Sequence, residues 1–325
     1  MAMYVLRRVL SAISVIVVTL FASFMLFFAA PNDAAGTICG PRCPNQKYED
    51  IRRSLNLDRP VAIQFGEYVK GMFVGRDIHT GPLTTRCTAP CLGYSFALNQ
   101  PVTQLLARAV PVTVSIVLGA AVIYFGVGLA TGTVAARRRG TFMDRAVIGS
   151  ALTINSIPYF IVALLVALYA TFLPRANWTP PWQNPFAWVA GLVAPWLVLG
   201  LTNAASYTRY ARNSMIESLN EDYVRTARSK GISERRVVYR HGLRAALAPV
   251  VTILGLDIAF QITNTVFTES IFGVPGIGLL TLRAFSSFDL PVLMGSVLIG
   301  ATVLVTLNLI IDLFYTVLDP RVRLG

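Results

Sequence analysis

The sequence predicts an all-α integral membrane protein with six transmembrane helices, and three observations support this fold class. Of the 325 residues, 54% are hydrophobic and only 14% are charged, which is too apolar for an ordinary soluble domain. Six apolar stretches reach the roughly 20 residues that a helix needs to cross a bilayer. Basic residues are concentrated between alternate stretches, as expected of a multi-pass protein.

The predicted spans are taken directly from the apolar stretches. Each must be helical, because the bilayer core holds no water to satisfy free backbone groups. The spans cover residues 9–30, 109–136, 146–173, 186–205, 245–268 and 290–318. Acidic residues occur in the last two only, as Asp257 and Asp312. The first span resembles a signal peptide, but its apolar run exceeds the roughly 7 to 15 residues of such peptides, so we retain it as a span.

The basic residues predict that both termini are cytoplasmic. With the N-terminus inside, the cytoplasmic side receives the basic residues at 7–8, 137–145, 209–244 and 321–323. The two short loops on the other side carry only Arg175 and Arg283, as the positive-inside rule expects. Topology therefore explains the net charge of +12. We expect no nucleic-acid partner, because the cations are not gathered in one soluble domain.

The long external segment contains all four cysteines, in two C-x3-C motifs. They are Cys39, Cys43, Cys87 and Cys91. We interpret them as two disulfides, which persist in an oxidising compartment, although the sequence leaves three pairings open. A zinc site is the alternative, but no other ligand cluster accompanies the thiols, so we expect no metal. Residues 46–57 are expected to form an amphipathic helix and residues 71–93 a loop.

A short cytoplasmic helix is predicted between the fourth and fifth spans. Asn220 is a favourable N-cap, and Gly231 stands at the C′ position, which predicts a helix over 221–230. Ser233 can cap the helix that follows. Tyr223 and Ala227 are four residues apart and so share a helix face, which we expect to be a docking face because Ala227 lets a partner approach closely.

Several stretches resemble the permease subunits of bacterial ABC importers. Residues 222–231 (DYVRTARSKG) and 239–249 (YRHGLRAALAP) resemble the cytoplasmic loop of the peptide and nickel branch, in its B-type subunit. Arg225 and Thr226 stand where Glu and Ala are commonest in ABC importers at large, as is usual in that branch. Further stretches with this likeness are 156–158 (SIP), 269–278 (ESIFGVPGIG), 289–291 (DLP) and 319–321 (DPR). The resemblance implies a type I ABC importer permease fold.

The predicted spans divide the chain into segments, and the resemblance implies roles for those of the core, whereas the cysteine-bearing external loop is the unfamiliar part. The expected segments are a cytoplasmic tail (1–8), a first span (9–30), a cysteine-containing external cap (31–100), a permease core (101–318) with a cytoplasmic coupling segment (215–245), and a second cytoplasmic tail (319–325). The coupling role falls on Asp222, Tyr223, Arg225, Thr226, Ala227, Lys230 and Gly231. The chain would lie in the bacterial inner membrane.

The implied partners are a homologous permease in a heterodimer, two ATPase domains or one fused ATPase subunit, and an external substrate-binding protein that delivers di- or oligopeptides. The chain is not expected to be an enzyme, because it contains no G-x-x-x-x-G-K-[ST] motif to hold nucleotide phosphates. We expect it to bind no cofactor, with ATP and Mg²⁺ held by the partner subunits.

Polar residues within or beside the spans are candidates for a translocation path or gate. They are Asn155, Gln261, Asn264 and Glu269. Buried amides also bond between helices for structural reasons, so this role competes with a purely structural one. For Asp312, close to the cytoplasmic end, we favour a structural role.

Other functions remain to be compared with this one. Nickel, glutathione and haem importers share this type of permease. An ion-coupled secondary transporter would show paired broken helices in matching halves, which the sequence does not suggest. An integral membrane enzyme ranks lowest, because no H-E-x-x-H or G-x-S-x-G motif occurs.

Overall fold

The computed structural model describes residues 2–29, 34–40, 43–54, 58–80 and 83–318. The predicted cytoplasmic tail 319–325, with Arg321 and Arg323, lies outside the described residues, as does the side chain of Asp312. The described chain is dominated by helices, with two short two-stranded sheets. It divides into a first unit, residues 1–113 and 275–325, and a second unit, residues 114–274.

Five described helices are long and apolar enough to cross a membrane, and a bent helix pair raises the number to six. Four of the five are α1 (Ala2–Phe24, continued by a π-helical segment, Met25–Ala29), α5 (Val102–Arg137), α8 (Pro185–Asn220) and α14 (Leu290–Leu318). The fifth joins α10 (Glu234–Arg236), a π-helical segment (Val237–Gly242) and α11 (Leu243–Asn264). The predicted all-α membrane fold is confirmed, and the helices extend beyond several of the predicted spans.

The third predicted span is not one straight helix. It is divided into α6 (Phe142–Ser156) and α7 (Tyr159–Tyr169), which meet at an angle of 85°. The cause is Pro158, because a proline disfavours helical geometry in the residue before it. Ile157 accordingly has extended backbone angles, φ −90° and ψ 122°. The prediction of a continuous helix over 146–173 is therefore wrong.

The first unit contains α1 packed along α14 and the segment that we predict to be the external cap. This segment comprises α2 (Ala34–Cys39), α3 (Asn45–Ser54), α4 (Val61–Val74), and the strand pairs β1 (Arg76–Thr80) with β2 (Leu83–Cys87) and β3 (Tyr94–Ser95) with β4 (Gln100–Pro101). The amphipathic helix predicted over 46–57 corresponds to α3. The loop predicted over 71–93 is wrong, because α4 extends to Val74 and β1 and β2 form an antiparallel hairpin.

The four cysteines are paired within their own motifs. Cys39 is bonded to Cys43, and Cys87 is bonded to Cys91. The second bridge is buried, whereas Cys39 and Cys43 are partly exposed. Near the buried bridge, the Tyr68 hydroxyl donates a 2.9 Å hydrogen bond to the Leu92 carbonyl. Burial raises the pKa of Tyr68 to about 12, with Arg76 opposing the shift.

The second unit is organised around α8, which packs against α6, α7 and α11. Glycines allow α5 to approach α8 closely: a Cβ added at Gly128 would lie 2.3 Å from Tyr207, and one at Gly132 would lie 2.5 Å from the Thr208 carbonyl. Thr131 and Thr208 share a 2.7 Å hydrogen bond at the same crossing. The remaining helices are α9 (Asp222–Ser229) and α12 (Val266–Phe272) in this unit and α13 (Ile277–Ser286) in the first unit.

Candidate functional site

The predicted coupling helix is present but shorter than expected. Asn220 is not its N-cap, because α8 continues through Asn220 and ends there. Glu221 adopts an extended conformation, φ −67° and ψ 149°, and stands at the N-cap position of α9. The chain therefore turns sharply at one residue between α8 and α9. Asn220 was a misleading signal, because a good capping residue does not end a helix that is still stabilised by packing.

The C-terminal end of α9 has the predicted glycine turn. Gly231 has a φ of +74°, in the left-handed region. Its amide donates to the Arg228 carbonyl at 2.9 Å, and the Ile232 amide donates to the Ala227 carbonyl at 3.3 Å. These two bonds make a Schellman motif, which satisfies carbonyls left free at the end of a helix. Gly231 thus fixes the direction in which the chain leaves α9.

Ala227 does not lie on an exposed docking face. It is 6% exposed and packs with Val224, which is fully buried, in a small apolar cluster that also contains Val237. Ile232 and Leu219 complete this cluster. The expectation that Tyr223 and Ala227 together form a docking face is therefore wrong. The apolar pair Val224 and Ala227, three residues apart among charged residues, was the sequence signal for the buried face.

The exposed face of α9 carries other members of the predicted set. Asp222, Tyr223, Arg225, Thr226 and Lys230 are exposed. Arg225 lies 3.6 Å from Asp222, with side chains 72% and 97% exposed, so this ion pair contributes little to stability. The Tyr223 hydroxyl is 3.0 Å from that of Ser218. We call this surface the exposed α9 face.

Two polar contacts hold the segment around α9 in place. The Ser218 hydroxyl, near the end of α8, donates to the Gly242 carbonyl at 2.9 Å and so joins α8 to the π-helical segment. Arg228 forms two hydrogen bonds with Glu234, at 2.8 and 3.1 Å, which link α9 to the next helix. The bond to Glu234 raises the pKa of the Arg228 guanidinium. Together with the apolar cluster, these contacts tie α9 to the helices on both sides.

The hydrogen bonds described for the predicted pathway residues run to other groups. Asn155, at the end of α6, accepts a 3.3 Å hydrogen bond from Ser206 on α8. Asn264 is exposed at the end of α11 and donates to the Phe260 carbonyl. Gln261 is partly buried, and its Oε1 has no hydrogen-bond partner among the described residues. Gln261 therefore retains an acceptor for a group outside the described chain.

Glu269 occupies a different environment from the other three. It is fully buried in α12, where the Thr265 hydroxyl donates a 2.9 Å hydrogen bond to its carboxylate. The Val274 amide also donates to its backbone carbonyl, at 2.9 Å. In the described conformation Glu269 supports the turn around α12, and its side chain does not line an open path.

Sequence reasoning missed two polar contacts inside the second unit. The Tyr207 hydroxyl donates to Asp257 at 2.7 Å, and its ring lies 4.6 Å from that of Tyr124. Asp144 and Arg212 form a bidentate ion pair, at 2.7 and 2.8 Å, between α6 and α8. The acid at Asp257 was the available signal, because an acid within a span requires a partner. The Asp144 pair was not foreseen because both residues lie outside the predicted spans.

No group of three or more His, Cys, Asp or Glu side chains is arranged for a metal ion in the described part of the chain. Since thiols paired in disulfides are not thiolate ligands, the cysteines present no zinc site in this structure. What the site offers is a short helix that is packed on one face and exposes a mostly polar face on the other.

Comparison with known proteins finds the same family over almost the whole chain. Residues 128–324 match the family described as binding-protein-dependent transport system inner membrane component, and residues 1–117 match its N-terminal region. A protein of Brucella abortus (strain 2308), named as a peptide transport system permease, is 36% identical over 327 residues, with 99% of each chain covered.

Two further relatives cover nearly the full length. A peptide ABC transporter permease protein of Sinorhizobium fredii is 32% identical, covering 99% of this chain and all of the relative. The glutathione transport system permease protein of Salmonella choleraesuis is 30% identical over 98% of each chain. The similarity extends through the coupling segment and the predicted external cap.

Proposed function

Because the chain belongs to the family of binding-protein-dependent transport system inner membrane components, we propose that it is one permease subunit of an ATP-driven importer of short peptides. The observation that carries this proposal is full-length similarity to permeases named for peptide transport. The tightly held α9 supports it, because such an importer needs a rigid element that receives the motion of its ATPase.

The importer would contain four kinds of component. This chain pairs with a homologous permease, and the translocation path lies between the two. Two ATPase domains, separate or fused, bind ATP and Mg²⁺ on the cytoplasmic side, and an external binding protein delivers the peptide. This chain binds no cofactor and hydrolyses no ATP. It lies in the bacterial inner membrane with both termini in the cytoplasm, as the basic residues favour.

The exposed α9 face contacts the ATPase in this proposal. The contacts of α9 with Glu234, Val237 and Leu219 keep it from moving independently of the adjoining helices. A displacement of α9 is therefore passed into the helix over Glu234–Asn264, which is long and apolar enough to cross the membrane. Gly231 forms the turn between α9 and the helix that follows. The docking surface consists of the exposed residues Asp222, Tyr223, Arg225, Thr226 and Lys230.

Two substrates are candidates, namely short α-linked peptides and glutathione. The similarity to a glutathione permease supports the second candidate, although at lower identity than to the peptide permeases. In either case selectivity would reside largely in the binding protein, and the path would need few specific contacts. Gln261, with its unpaired oxygen, is our candidate for a contact with the path or the partner permease.

The test is uptake by the complete importer in proteoliposomes, with ATP inside and the binding protein outside. We expect accumulation of a labelled tripeptide that unlabelled tripeptide abolishes and a tenfold excess of glutathione leaves unchanged. A complex without the binding protein is the control. Accumulation of glutathione but not tripeptide would move the assignment to the second candidate, and absence of ATP-dependent uptake of either would contradict the proposal.

A further inference from the structure

The first unit contains a cavity of about 250 Å³ that the proposed coupling and pathway functions do not use. It lies among the start of α5, α13 and the start of α14, and its walls are largely apolar. Leu105 and Leu279 are among the lining residues. The chain segments that lead into α5 and into α14 adjoin this cavity, and both segments are extracytoplasmic in the proposed topology. The cavity is smaller than the roughly 300–1,000 Å³ typical of sites for drug-sized ligands.

An acid with an unused oxygen lines this cavity. Asp289 is 2% exposed, and its Oδ1 has no hydrogen-bond partner among the described residues. Its Oδ2 accepts a hydrogen bond from the Ser95 hydroxyl, which in turn accepts a 2.9 Å bond from the Leu98 amide. Burial raises the pKa of Asp289, while the hydrogen bond from Ser95 opposes the shift. A buried acceptor without a donor is costly, so it is an attractive position for a ligand's donor group.

The backbone holds Asp289 in this position. Phe288 has a φ of +54°, in the left-handed region that a residue with a side chain rarely adopts. The Asp289 amide donates to the Ala284 carbonyl at 2.8 Å, and the Phe288 amide donates to the Phe285 carbonyl at 3.3 Å. These two bonds close the C-terminal end of α13. At the other end of α13, the Ile277 amide donates to the Thr113 hydroxyl at 2.8 Å, so the helix is fixed to α5.

Two arginines line the same cavity. Arg108, on α5, and Arg283, on α13, are both exposed. Arg108 donates a long hydrogen bond of 3.4 Å to Gln100. Guanidinium groups bind carboxylates through paired hydrogen bonds, so the two arginines can receive an anionic group from outside. The cavity thus combines an acceptor for a cation, donors for an anion and apolar walls.

We propose that this cavity is a site for a small zwitterion, of the size of a dipeptide, with its ammonium group at Asp289 and its carboxylate at Arg108 and Arg283. The apolar walls receive the ligand's side chain. The inference deepens the proposed function and rests on it, because it assigns to the outer side of the permease a site that favours substrates with free amino and carboxyl ends. The cavity is too small to hold both ends of a long peptide, so a long peptide could place only one of its ends there.

The test uses the complete importer in nanodiscs, without ATP and without the binding protein. The probe is radiolabelled leucyl-alanine, compared with its N-acetyl and C-amide derivatives. We expect saturable binding of leucyl-alanine and at least tenfold weaker binding of either derivative. Asp289→Asn should weaken binding of leucyl-alanine at least tenfold without further weakening the N-acetyl derivative. Arg283→Gln should behave in the same way towards the C-amide derivative.

Arg86→Gln is the matched control, because Arg86 is an exposed arginine on β2 that does not line the cavity. It should leave binding unchanged. If Asp289→Asn does not assemble, Arg283→Gln and Arg108→Gln still decide the question. Absence of saturable binding to the wild-type complex, as expected if the cavity holds only water, would overturn the inference. So would equal binding of leucyl-alanine and both derivatives.

The outcomes separate this inference from the proposed function. Uptake of a tripeptide delivered by the binding protein, together with no binding of leucyl-alanine, would reject the cavity site and leave the importer intact. Binding of leucyl-alanine with the expected dependence on Asp289 and Arg283, together with no peptide uptake, would reject the importer and retain the site.

Discussion

Gly231 shows how one residue determines the direction of the chain at the coupling segment. Its φ of +74° lies in the region that only glycine enters freely, with asparagine the next most tolerant residue. A Cβ added to Gly231 would meet no heavy atom within 4 Å, so a substitution there is strained by the backbone and not by crowding. A loss of stability after substitution of Gly231 can therefore be assigned to the backbone conformation and not to side-chain clashes.

We predict that Gly231→Val destabilises the turn by roughly 1–2 kcal/mol, the typical cost of a left-handed conformation for a residue with a Cβ. Gly231→Asn should cost less, because asparagine tolerates this conformation. Both variants should assemble, and Gly231→Val should import less peptide per ATP hydrolysed. Parallel measurement of peptide uptake and ATP hydrolysis checks this, and equal behaviour of the two variants would show that the backbone conformation is unimportant.

At the scale of elements, the long apolar runs were sufficient to predict the five described helices that are long and apolar enough to cross a membrane, because only a helix satisfies its backbone in lipid. The bend at Pro158 was not predicted, because a proline within a span is also compatible with a mild kink and the sequence does not give the angle. The end of α8 was misplaced because packing continued the helix through a good capping residue. The buried face of α9 was misassigned, because which face is buried depends on packing against Val237, which lies in another element.

The burial of Ala227 leads to a prediction about α9 as an element. Ala227→Arg would place a long cation in the cluster with Val224 and Val237, where overpacking and an unpaired charge together cost a few kcal/mol. We therefore expect loss of assembled complex and a lower melting temperature, and not a stable uncoupled complex. Co-purification of the subunits and thermal unfolding provide the measurement.

The matched control is the neighbouring variant Thr226→Arg. Thr226 is exposed, so the same side chain introduced there meets solvent in the isolated permease. The isolated permease carrying Thr226→Arg should keep the wild-type melting temperature, whereas the isolated permease carrying Ala227→Arg should not. If Ala227→Arg is as stable as Thr226→Arg, the apolar cluster does not hold α9 against the rest of the second unit.

For the molecule as a whole, we propose six spans with both termini inside, because the basic residues favour this orientation and α6 with α7 can be counted as one span beside the five long helices. We predict that an impermeant thiol reagent added outside intact cells labels Lys70→Cys but not Thr141→Cys. Both positions are exposed in the structure, and the described cysteines are all paired in disulfides, so no described native thiol competes. Labelling of Thr141→Cys but not of Lys70→Cys would show that the chain has the opposite orientation in the membrane.

In the proposed importer, the exposed α9 face transmits the work of ATP hydrolysis to the membrane helices. The most direct measurement is the number of peptides imported per ATP hydrolysed by complete importers carrying Arg225→Glu, with Arg235→Glu as a charge-reversal control outside α9. Arg225 is 72% exposed and contributes little to folding, so the Arg225→Glu complex should assemble. We predict that it retains ATP hydrolysis and that its peptide uptake falls at least tenfold. The Arg235→Glu control should behave as wild type. Wild-type uptake by an assembled Arg225→Glu complex would show that the exposed α9 face does not couple ATP hydrolysis to transport.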